Sequence, residues 1–419
     1  MNPMRHVTRH LIRSFSGTGL SRLLLALPLL TSMVLLAPAP AAAQLNTAKL
    51  HLDIREAVLR VPVSVQDAAG RTVAGDLIVT TFKPAGPGPF PLLIISHGRS
   101  SQQRATFARQ RFESAARFFV RKGFAVAVPL RLGYGELADL GDPESSGTCA
   151  RPRYAPALAA AAQQILAVAQ AMALQPQVDG SRLVLVGQSV GGMASLAAAA
   201  LRPPGLLAAI NFAGGHGGSP IEHPGVPCQP EQLTALFQAY GAATAATAVS
   251  PTPTLWIYTR NDFYFGPQHS RAWAEAYQRA GGQADYQLLP AIGDDGHKLF
   301  AQANDVWQPV VDAFLAQHGF AQTGTLTAPP ASGFAALADA AALPVPSGGQ
   351  LPVARAAYQK FLVSTAPRAF AVNAAGQWGY ASGEDVMSRA LSFCQRQLSP
   401  ASPACSLYAV NDAVVWNPQ

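Results

Sequence analysis

The stretch 183–194, LVLVGQSVGGMA, decides the fold of this chain. Its four leading apolar residues predict a buried parallel strand, and the alanine-rich residues 193–201 predict a helix. Between them, Ser189 is the centre of a G-x-S-x-G motif. A strand, this motif and a helix in that order are typical of a nucleophile elbow, in which a tight turn exposes the central serine at the end of a sheet.

Such a turn needs residues without side chains on either side of the serine. Gly187 and Gly191 stand two residues before and two residues after Ser189, so the backbone can come close enough to hold the serine in a strained conformation. The N–H of Val190 would then lie at a helix N-terminus and face a developing oxyanion. We therefore predict Ser189 as a nucleophile and Val190 as an oxyanion-hole donor.

The composition indicates a globular chain of more than one domain. With 419 residues, of which 49% are hydrophobic, one large and one small domain are expected. The formal charge is +7, but four arginines lie in the first 43 residues, which contain no acidic residue. The remaining +3 is a mild excess without a basic run, so nothing favours binding to nucleic acid.

The N-terminus predicts export. A basic region ends at Arg22, an apolar run covers 23–36, and the small residues 41–43 fit a cleavage site, so residues 1–43 resemble a signal peptide. A retained anchor is the alternative, but the apolar run is short for a span and is broken by Pro28. No later stretch is predicted to cross a bilayer. We expect a periplasmic or secreted protein without a stable membrane span after cleavage.

Export would place the four cysteines in an oxidising compartment, where three pairings are possible. Cys394 and Cys405 are close in sequence and belong to a separate C-terminal module. Cys149 and Cys228 fall in long loops of the larger domain. We therefore predict the disulfides Cys149–Cys228 and Cys394–Cys405.

Strand and helix patterns alternate along the larger domain. The predicted strands cover 58–63, 77–82, 92–96, 124–129, 183–186, 206–212, 255–259 and 286–289. The predicted helices cover 104–122, 157–174, 193–201, 268–280 and 305–317. The first two strands read as an antiparallel pair, and the rest predict a doubly wound, mostly parallel α/β sheet covered on both faces.

Polar residues lie directly or shortly after the ends of several of these strands. Ser189, Asp262, His297 and the pair His97-Gly98 all come shortly after a strand. Ligands of such sheets bind at the carboxyl ends of the strands, so we expect these residues to meet there. A serine needs a base to take its proton, and a carboxylate orients the histidine. The order Ser189, Asp262, His297 is the one expected for this fold.

Some of these assignments have alternatives. Asp262 would also suit a helix cap. Asp294 and Asp295 are alternative orienting acids, but they are so close to His297 in sequence that they have little room to reach its far nitrogen.

Other histidines compete for the role of base. His216 is the main rival to His297 because it follows the strand after the elbow, whereas His269 lies in a predicted helix. His97 precedes Gly98 and is expected to shape the oxyanion loop. The second oxyanion donor is the N–H of either Gly98 or Arg99.

Four segments carry a family resemblance: 95–98 (ISHG), 187–192 (GQSVGG), 261–262 (ND) and 296–297 (GH). With them, residues 50–318 resemble an α/β-hydrolase of the dienelactone hydrolase and prolyl-oligopeptidase-like group. Dienelactone hydrolases proper use a cysteine nucleophile where this chain has Ser189, so their substrate is not implied. The long loops 131–156 and 213–250 exceed a minimal core of this kind, and we expect a cap joined by Cys149–Cys228.

The C-terminal part is predicted to be separate. Residues 44–318 form the catalytic domain, 319–350 read as a linker, and 351–419 form a small α+β module with one disulfide. The module resembles a small repeat found on other exported bacterial proteins. Its aromatic residues Trp378, Tyr380 and Trp416 are expected in its core.

The resulting hypothesis is a serine hydrolase that cleaves small-molecule carboxylic esters. A serine peptidase of prolyl-oligopeptidase type is an alternative, which the lack of a propeller ahead of the catalytic segment disfavours. A non-catalytic binding protein on a hydrolase scaffold is another. We predict no metal and no cofactor, because the histidines are scattered and no dinucleotide or phosphate motif occurs. The oligomeric state stays open.

Overall fold

The structure is a computed structural model that describes residues 50–100, 102–246, 251–320, 328–383, 386–395 and 403–417. The predicted signal peptide lies outside the described residues. It stays a prediction, as do the domain boundaries.

A large sheet contains eight of the described strands. They are β1 (Ala57–Gln66), β2 (Thr72–Phe82), β3 (Phe90–Ser96), β4 (Ala125–Leu130), β5 (Val178–Gln188), β6 (Leu206–Phe212), β7 (Pro253–Thr259) and β8 (Gln283–Leu289). Their order across the sheet is β1-β2-β4-β3-β5-β6-β7-β8. β1 and β2 form the predicted antiparallel hairpin, with Ala57 opposite Thr81 and Gln66 opposite Thr72.

Only the hairpin interrupts the parallel pairing of the large sheet. β2 pairs with β4 in the antiparallel sense, and every pair from β4 to β8 is parallel. The predicted fold class, a doubly wound and mostly parallel α/β sheet with a small additional α+β part, is therefore confirmed. Parallel strands buried on both faces read as apolar runs, as β4 and the centre of β5 do.

Seven helices of this part follow the strands. They are α1 (Glu113–Arg121), α2 (Tyr154–Ala173), α3 (Val190–Ala200), α4 (Pro230–Ala245), α5 (Pro267–Arg279), α6 (Leu299–Gln302) and α7 (Asn304–Gln317), and short 3₁₀ helices cover Leu52–Ile54, Gly135–Leu140 and Gly296–Lys298.

Two neighbouring residues of β6 show that these helices cover both faces. Phe212 packs on Trp307 of α7, with ring centroids 5.2 Å apart. Asn211 lies so close to α3 that a Cβ on Gly192 would stand 2.4 Å from its Oδ1. Because successive side chains of a strand point to opposite faces, α3 and α7 lie on opposite faces of the sheet.

One helix was predicted too long. Residues 104–106 form a turn, 107–112 have no regular secondary structure, and α1 begins only at Glu113. Phe112 adopts a left-handed φ of 43°, which stops the helix from starting earlier. The expectation of a helix over 104–122 is therefore wrong in its first half.

A second correction concerns α2. Among the described helices, α2 alone is long and apolar enough to span a bilayer by length and composition, contrary to the prediction that no later stretch is. Over half of its most apolar window is buried, because the helix packs on the sheet and on α3. Its hydropathy comes largely from alanines, as expected for a close-packed core helix.

A separate four-stranded sheet lies near the C-terminus, with strand order β10-β9-β11-β12. Its elements are α8 (Gln350–Leu362), β9 (Arg368–Val372), β10 (Trp378–Ser382), α9 (Val386–Gln395), β11 (Ser406–Val410) and β12 (Ala413–Val414), preceded by a 3₁₀ helix at Ala340–Ala342.

Each face of this sheet contributes to its own core. Aromatic residues of α8, such as Tyr358, pack with Phe370 on one face. Small residues such as Ala371 pack against α9 on the other. Trp378, Tyr380 and Trp416 are partly buried against the first core, as predicted, and Leu337 and Val345 from the predicted linker join it.

Both predicted disulfides are present. Cys149 bonds to Cys228, and Cys394 bonds to Cys405. The first joins the loop before α2 to the loop before α4, and the second joins α9 to the start of β11. Disulfides persist in oxidising compartments, so this pairing is compatible with an exported protein.

Candidate active site

Ser189 occupies the predicted elbow between β5 and α3. Its φ of 56° and ψ of −127° are strained for a residue with a side chain. A Cβ on Gly187 would stand 2.1 Å from the Gly191 carbonyl oxygen, and one on Gly191 would stand 2.2 Å from the Ser96 oxygen. Both positions therefore require glycine, as the motif predicts.

His297 and Asp262 meet at the same edge of the sheet. His297 Nδ1 lies 3.1 Å from each carboxylate oxygen of Asp262, and both side chains are buried. Asp262 Oδ1 also accepts the backbone N–H groups of Tyr264 and Phe265, at 2.8 and 2.9 Å. The carboxylate is thus fixed by its own turn, and it holds the imidazole with its other nitrogen, Nε2, free for a substrate or a nucleophile.

The loop that carries His297 is tied to the loop of Asp262. The N–H of Gly296 donates to the Asn261 carbonyl at 3.1 Å, and a Cβ on Gly296 would collide with Thr259. Asp295 accepts the backbone N–H groups of His297 and Phe263. Asp295, the alternative orienting acid, therefore bonds to the backbone of His297 and not to its ring.

His97 adopts one neutral tautomer beneath the oxyanion loop. Its Nε2 accepts the Arg131 backbone N–H at 3.2 Å, so Nδ1 carries the proton and donates to the Gly98 carbonyl at 2.7 Å. Burial, and then the charge of Arg131, hold the pKa of His97 well below its usual value. Both ring nitrogens of His97 are therefore bonded to the backbone, which ties the ring to the 97–99 loop.

His216 and His269 lie elsewhere. His216 is buried against Tyr154 and lies close to the backbone of Glu144, without a hydrogen bond of standard geometry at either ring nitrogen among the described residues. Burial, together with the charge of Arg99, lowers its pKa to about 3. His269 lies on α5 beside Trp273, at a centroid distance of 6.2 Å. The structure thus places His297, and neither rival, beside both Asp262 and the elbow.

A cavity of about 280 Å³ opens over the elbow. We call it the Ser189 cavity, and it is lined by His97, Gly98, Arg99, Phe107, Gln110, Phe112, Gln188, Ser189, Tyr264, His297 and Ala301. Within the described part of the chain no hydrogen bond joins the Ser189 hydroxyl to His297. Such bonds often form only when substrate binds.

Gly98 and Arg99 line the Ser189 cavity. A Cβ on Gly98 would stand 3.2 Å from Ser189 Cβ, so the loop approaches the serine closely. The Arg99 guanidinium makes two hydrogen bonds to Asp142, at 2.9 and 2.6 Å, and a third to Tyr134. The bonds to Asp142 raise the pKa of Arg99 despite its burial. The negative charge of Asp142 therefore compensates the positive charge of Arg99 beside the Ser189 cavity.

One cluster has ligand-type residues suited to a metal. The candidate ligand atoms of Cys149, His223 and Cys228 lie within 4.8 Å of one another. The two sulfurs are bonded to each other, so no thiolate is free to bind a metal.

Sequence reasoning missed two neighbours of His297. Tyr264 stacks on the imidazole, with centroids 4.1 Å apart and 23° between the planes. Gln188 donates from Nε2 to the His297 carbonyl at 3.2 Å. The sequence contains one indication of each: Gln188 precedes Ser189, and Tyr264 follows Asp262 by two residues. Neither motif requires a glutamine or a tyrosine at these positions.

No protein-family model matches the chain, and no curated protein matches its sequence. Solved structures with a similar fold exist. A proposed dienelactone hydrolase from Klebsiella pneumoniae aligns over 62% of this chain and 99% of its own, with 18% identity and a TM-score of 0.41. A thermophilic esterase from Thermogutta terrifontis aligns over 60% and 92%, with 19% identity and a TM-score of 0.41.

An acylaminoacyl peptidase from Pyrococcus horikoshii aligns over 64% of this chain and 43% of its own, with 14% identity and a TM-score of 0.45. At such identities and TM-scores, these likenesses carry no information about the reaction of this protein.

Proposed function

We propose that this protein is a serine hydrolase that cleaves carboxylic esters of small molecules through an acyl-enzyme. The observation that carries the proposal is the pair His297–Asp262, whose imidazole and carboxylate lie 3.1 Å apart, with His297 and Ser189 lining the same cavity. A serine on a strained elbow, a histidine and a buried carboxylate are the groups that nucleophilic acyl transfer needs.

The proposed reaction uses these groups in two halves. Ser189 Oγ attacks the ester carbonyl carbon while His297 takes the hydroxyl proton. The tetrahedral intermediate then collapses, the C–O bond breaks, and the alcohol leaves with the proton that His297 returns. Water repeats the sequence on the acyl-serine and releases the acid, with His297 again acting first as base and then as acid.

The backbone supports two donors for the oxyanion. The N–H of Val190 belongs to the first residue of α3, where N–H groups lack a helical partner. The Gly98 carbonyl points at the His97 ring, and in a trans peptide the following N–H points the opposite way. This supports Arg99, rather than Gly98, as the second donor.

An exported location belongs to the same proposal. The disulfides support an oxidising compartment, and the basic and apolar residues of 1–43 supply the signal.

A fluorophosphonate probe tests the nucleophile without a known substrate. We expect it to label the purified protein at Ser189, and we expect Ser189→Ala to abolish labelling and lower ester turnover on the order of 10⁴-fold. Ser195→Ala is the matched control. Ser195 lies in α3, the helix that follows Ser189, but its hydroxyl is buried and donates to the Gly191 carbonyl. The substrates are p-nitrophenyl acetate, butyrate and octanoate beside a dipeptide p-nitroanilide.

Each result has a distinct meaning. Labelling that survives Ser189→Ala would overturn the assignment of the nucleophile. Labelling at Ser189 with faster cleavage of the anilide than of every ester would replace the esterase by a peptidase.

A further inference from the structure

Tyr264 contacts both partners of the pair that the proposed function uses. Its ring stacks on His297 at 4.1 Å, and its backbone N–H donates to Asp262 Oδ1 at 2.8 Å. It also lines the Ser189 cavity. Among the described aromatic residues, it is the one that stacks face to face on this imidazole.

A second ring confines the imidazole from another direction. Phe265 meets His297 edge-on, with centroids 5.3 Å apart and planes at 74°. Phe265 is itself buried and held against Trp273. A Cβ on Gly215 would stand 2.8 Å from the Phe265 ring, so the backbone around that ring is also closely packed.

The hydrogen bonds of His297 leave its imidazole able to tilt, and the two neighbouring aromatic rings oppose this tilt. The bond from Nδ1 to Asp262 fixes one end of the ring, and the bonds of Asp295 and Gln188 fix the backbone. A ring held at one nitrogen can still tilt about that bond. A stacked ring resists the tilt, because aromatic pairs have preferred separations and angles.

We infer that Tyr264 is a positioning residue whose ring holds the His297 imidazole in the plane that joins Asp262 to Ser189. The inference rests on the proposed function, but it concerns a geometry that can be measured without any substrate. The hydroxyl of Tyr264 has no part in it, so phenylalanine should replace tyrosine and an aliphatic residue should not.

The test compares Tyr264→Phe with Tyr264→Leu. We expect Tyr264→Leu to lower kcat for p-nitrophenyl acetate about tenfold, which corresponds to one aromatic pair, with a smaller change in KM. Tyr264→Phe should restore most of kcat. Phe263→Leu is the matched control, because Phe263 is the adjacent aromatic residue and its exposed ring makes no stacking contact with His297 within the described structure.

A proton NMR measurement separates positioning from a general structural effect. The Nδ1 proton shared by His297 and Asp262 should give a downfield resonance, assigned by its absence in His297→Ala. We expect a sharp line in the native protein and in Tyr264→Phe, and a broadened or displaced line in Tyr264→Leu. If Tyr264→Leu does not fold, Tyr264→Met offers an unbranched side chain for the same measurement.

The outcomes distinguish the two proposals. An unchanged resonance and an unchanged kcat in Tyr264→Leu would overturn the role of Tyr264 and leave the proposed function intact. A loss of kcat that Tyr264→Phe does not restore would also overturn it, because it would assign the effect to the hydroxyl. Failure of the native protein to react with the fluorophosphonate would instead overturn the proposed function, whatever the resonance shows.

Discussion

His297 and His216 are both buried, but what surrounds each ring differs. His297 has a carboxylate at Nδ1 and lines the Ser189 cavity. His216 faces the charge of Arg99 and the ring of Tyr154, and burial lowers its pKa to about 3. A neutral ring without a carboxylate partner cannot stabilise the imidazolium that a general base becomes.

Substitution of each histidine should therefore separate their roles. We expect His297→Ala to lower kcat/KM as much as Ser189→Ala, and the double variant to be no worse, because triad members act as a unit. His216→Ala should lose less than about tenfold. Ester hydrolysis measures the loss, with thermal unfolding as a check on folding. The opposite ranking would move the base to His216.

At the scale of single residues, the sequence predicts where the site residues lie better than it predicts which side chains they contact. Ser189, Asp262 and His297 each follow a strand, and the topology of a parallel sheet then brings them to one edge. The stack of Tyr264 on His297 joins residues 33 positions apart, and its angle depends on two loop conformations that no periodicity encodes. The role of Asp295 depends on the same loops.

At the scale of elements, the segment 104–112 shows how side chains can override a helical pattern. Arg109 and Arg111 both reach the buried carboxylate of Glu56, and the Thr80 hydroxyl donates to the Gln110 carbonyl. These bonds tie the segment to Glu56 and to Thr80 of β2. Phe107, Gln110 and Phe112 then line the Ser189 cavity, so we call 104–112 the wall segment.

We expect Glu56→Gln to loosen the wall segment. The change leaves two partly buried guanidinium groups without the carboxylate they share, which should cost about 2–3 kcal/mol of unfolding free energy. Displacement of the wall should lower kcat/KM for short esters ~10-fold. Denaturant unfolding and the kinetics of p-nitrophenyl acetate and butyrate measure the two effects.

Glu136→Gln is the control for this prediction. Glu136 also pairs with an arginine, Arg60, but at 3.8 Å and with both side chains more than 40% exposed. Exposed pairs contribute little, so the control should change neither stability nor kinetics. Equal effects of the two variants would show that the wall segment does not depend on Glu56.

The remaining elements could be predicted because their patterns agree with their burial. β4 and the apolar centre of β5 are continuous apolar runs and proved to be central strands. The spacing of apolar residues in 104–122 fits a helix over the whole segment. The bonds to Glu56 and Thr80, which are distant in sequence, prevent a helix over 104–112. The 16-residue α4 lies within 213–250, which is predicted from the sequence as a long loop, because its glycine and alanines give little periodic signal.

At the scale of the whole molecule, the loop 131–156 is held at two places. Near its start, Arg131 is buried and bonded to Glu144, which also accepts a bond from Tyr134. Near its end, Cys149 is bonded to Cys228, across a sequence separation of 79 residues. The polar network does not depend on the disulfide.

Removal of this disulfide should therefore weaken the protein without unfolding it. In the chain-entropy model, Cys149→Ala/Cys228→Ala loses about 4–5 kcal/mol, less any compensation. We expect a lower melting temperature and altered KM or ester preference, because the loop that includes Asp142 contacts the wall of the Ser189 cavity through Arg99. Calorimetry and ester kinetics measure these effects.

The other disulfide is the control. Cys394→Ala/Cys405→Ala opens a separation of only 11 residues and should cost about 3 kcal/mol. It joins α9 to the start of β11, beside the second sheet, so KM should not change. Equal kinetic effects would show that the C-terminal module, and not the loop 131–156 alone, influences the cavity.

The close backbone contacts of the elbow have a consequence for how this protein can evolve. Gly187 and Gly191 touch main-chain atoms, which no neighbouring substitution can remove, so mutations there are lost as folding failures before selection can act on catalysis. The hydrogen bonds that hold the wall segment to its neighbours use main-chain atoms and the side chains of Arg104, Arg109 and Arg111, so the lining residues can be exchanged one at a time. Descendants with new substrate ranges should therefore differ first at Phe107, Gln110 and Phe112, and a directed-evolution library belongs at those positions.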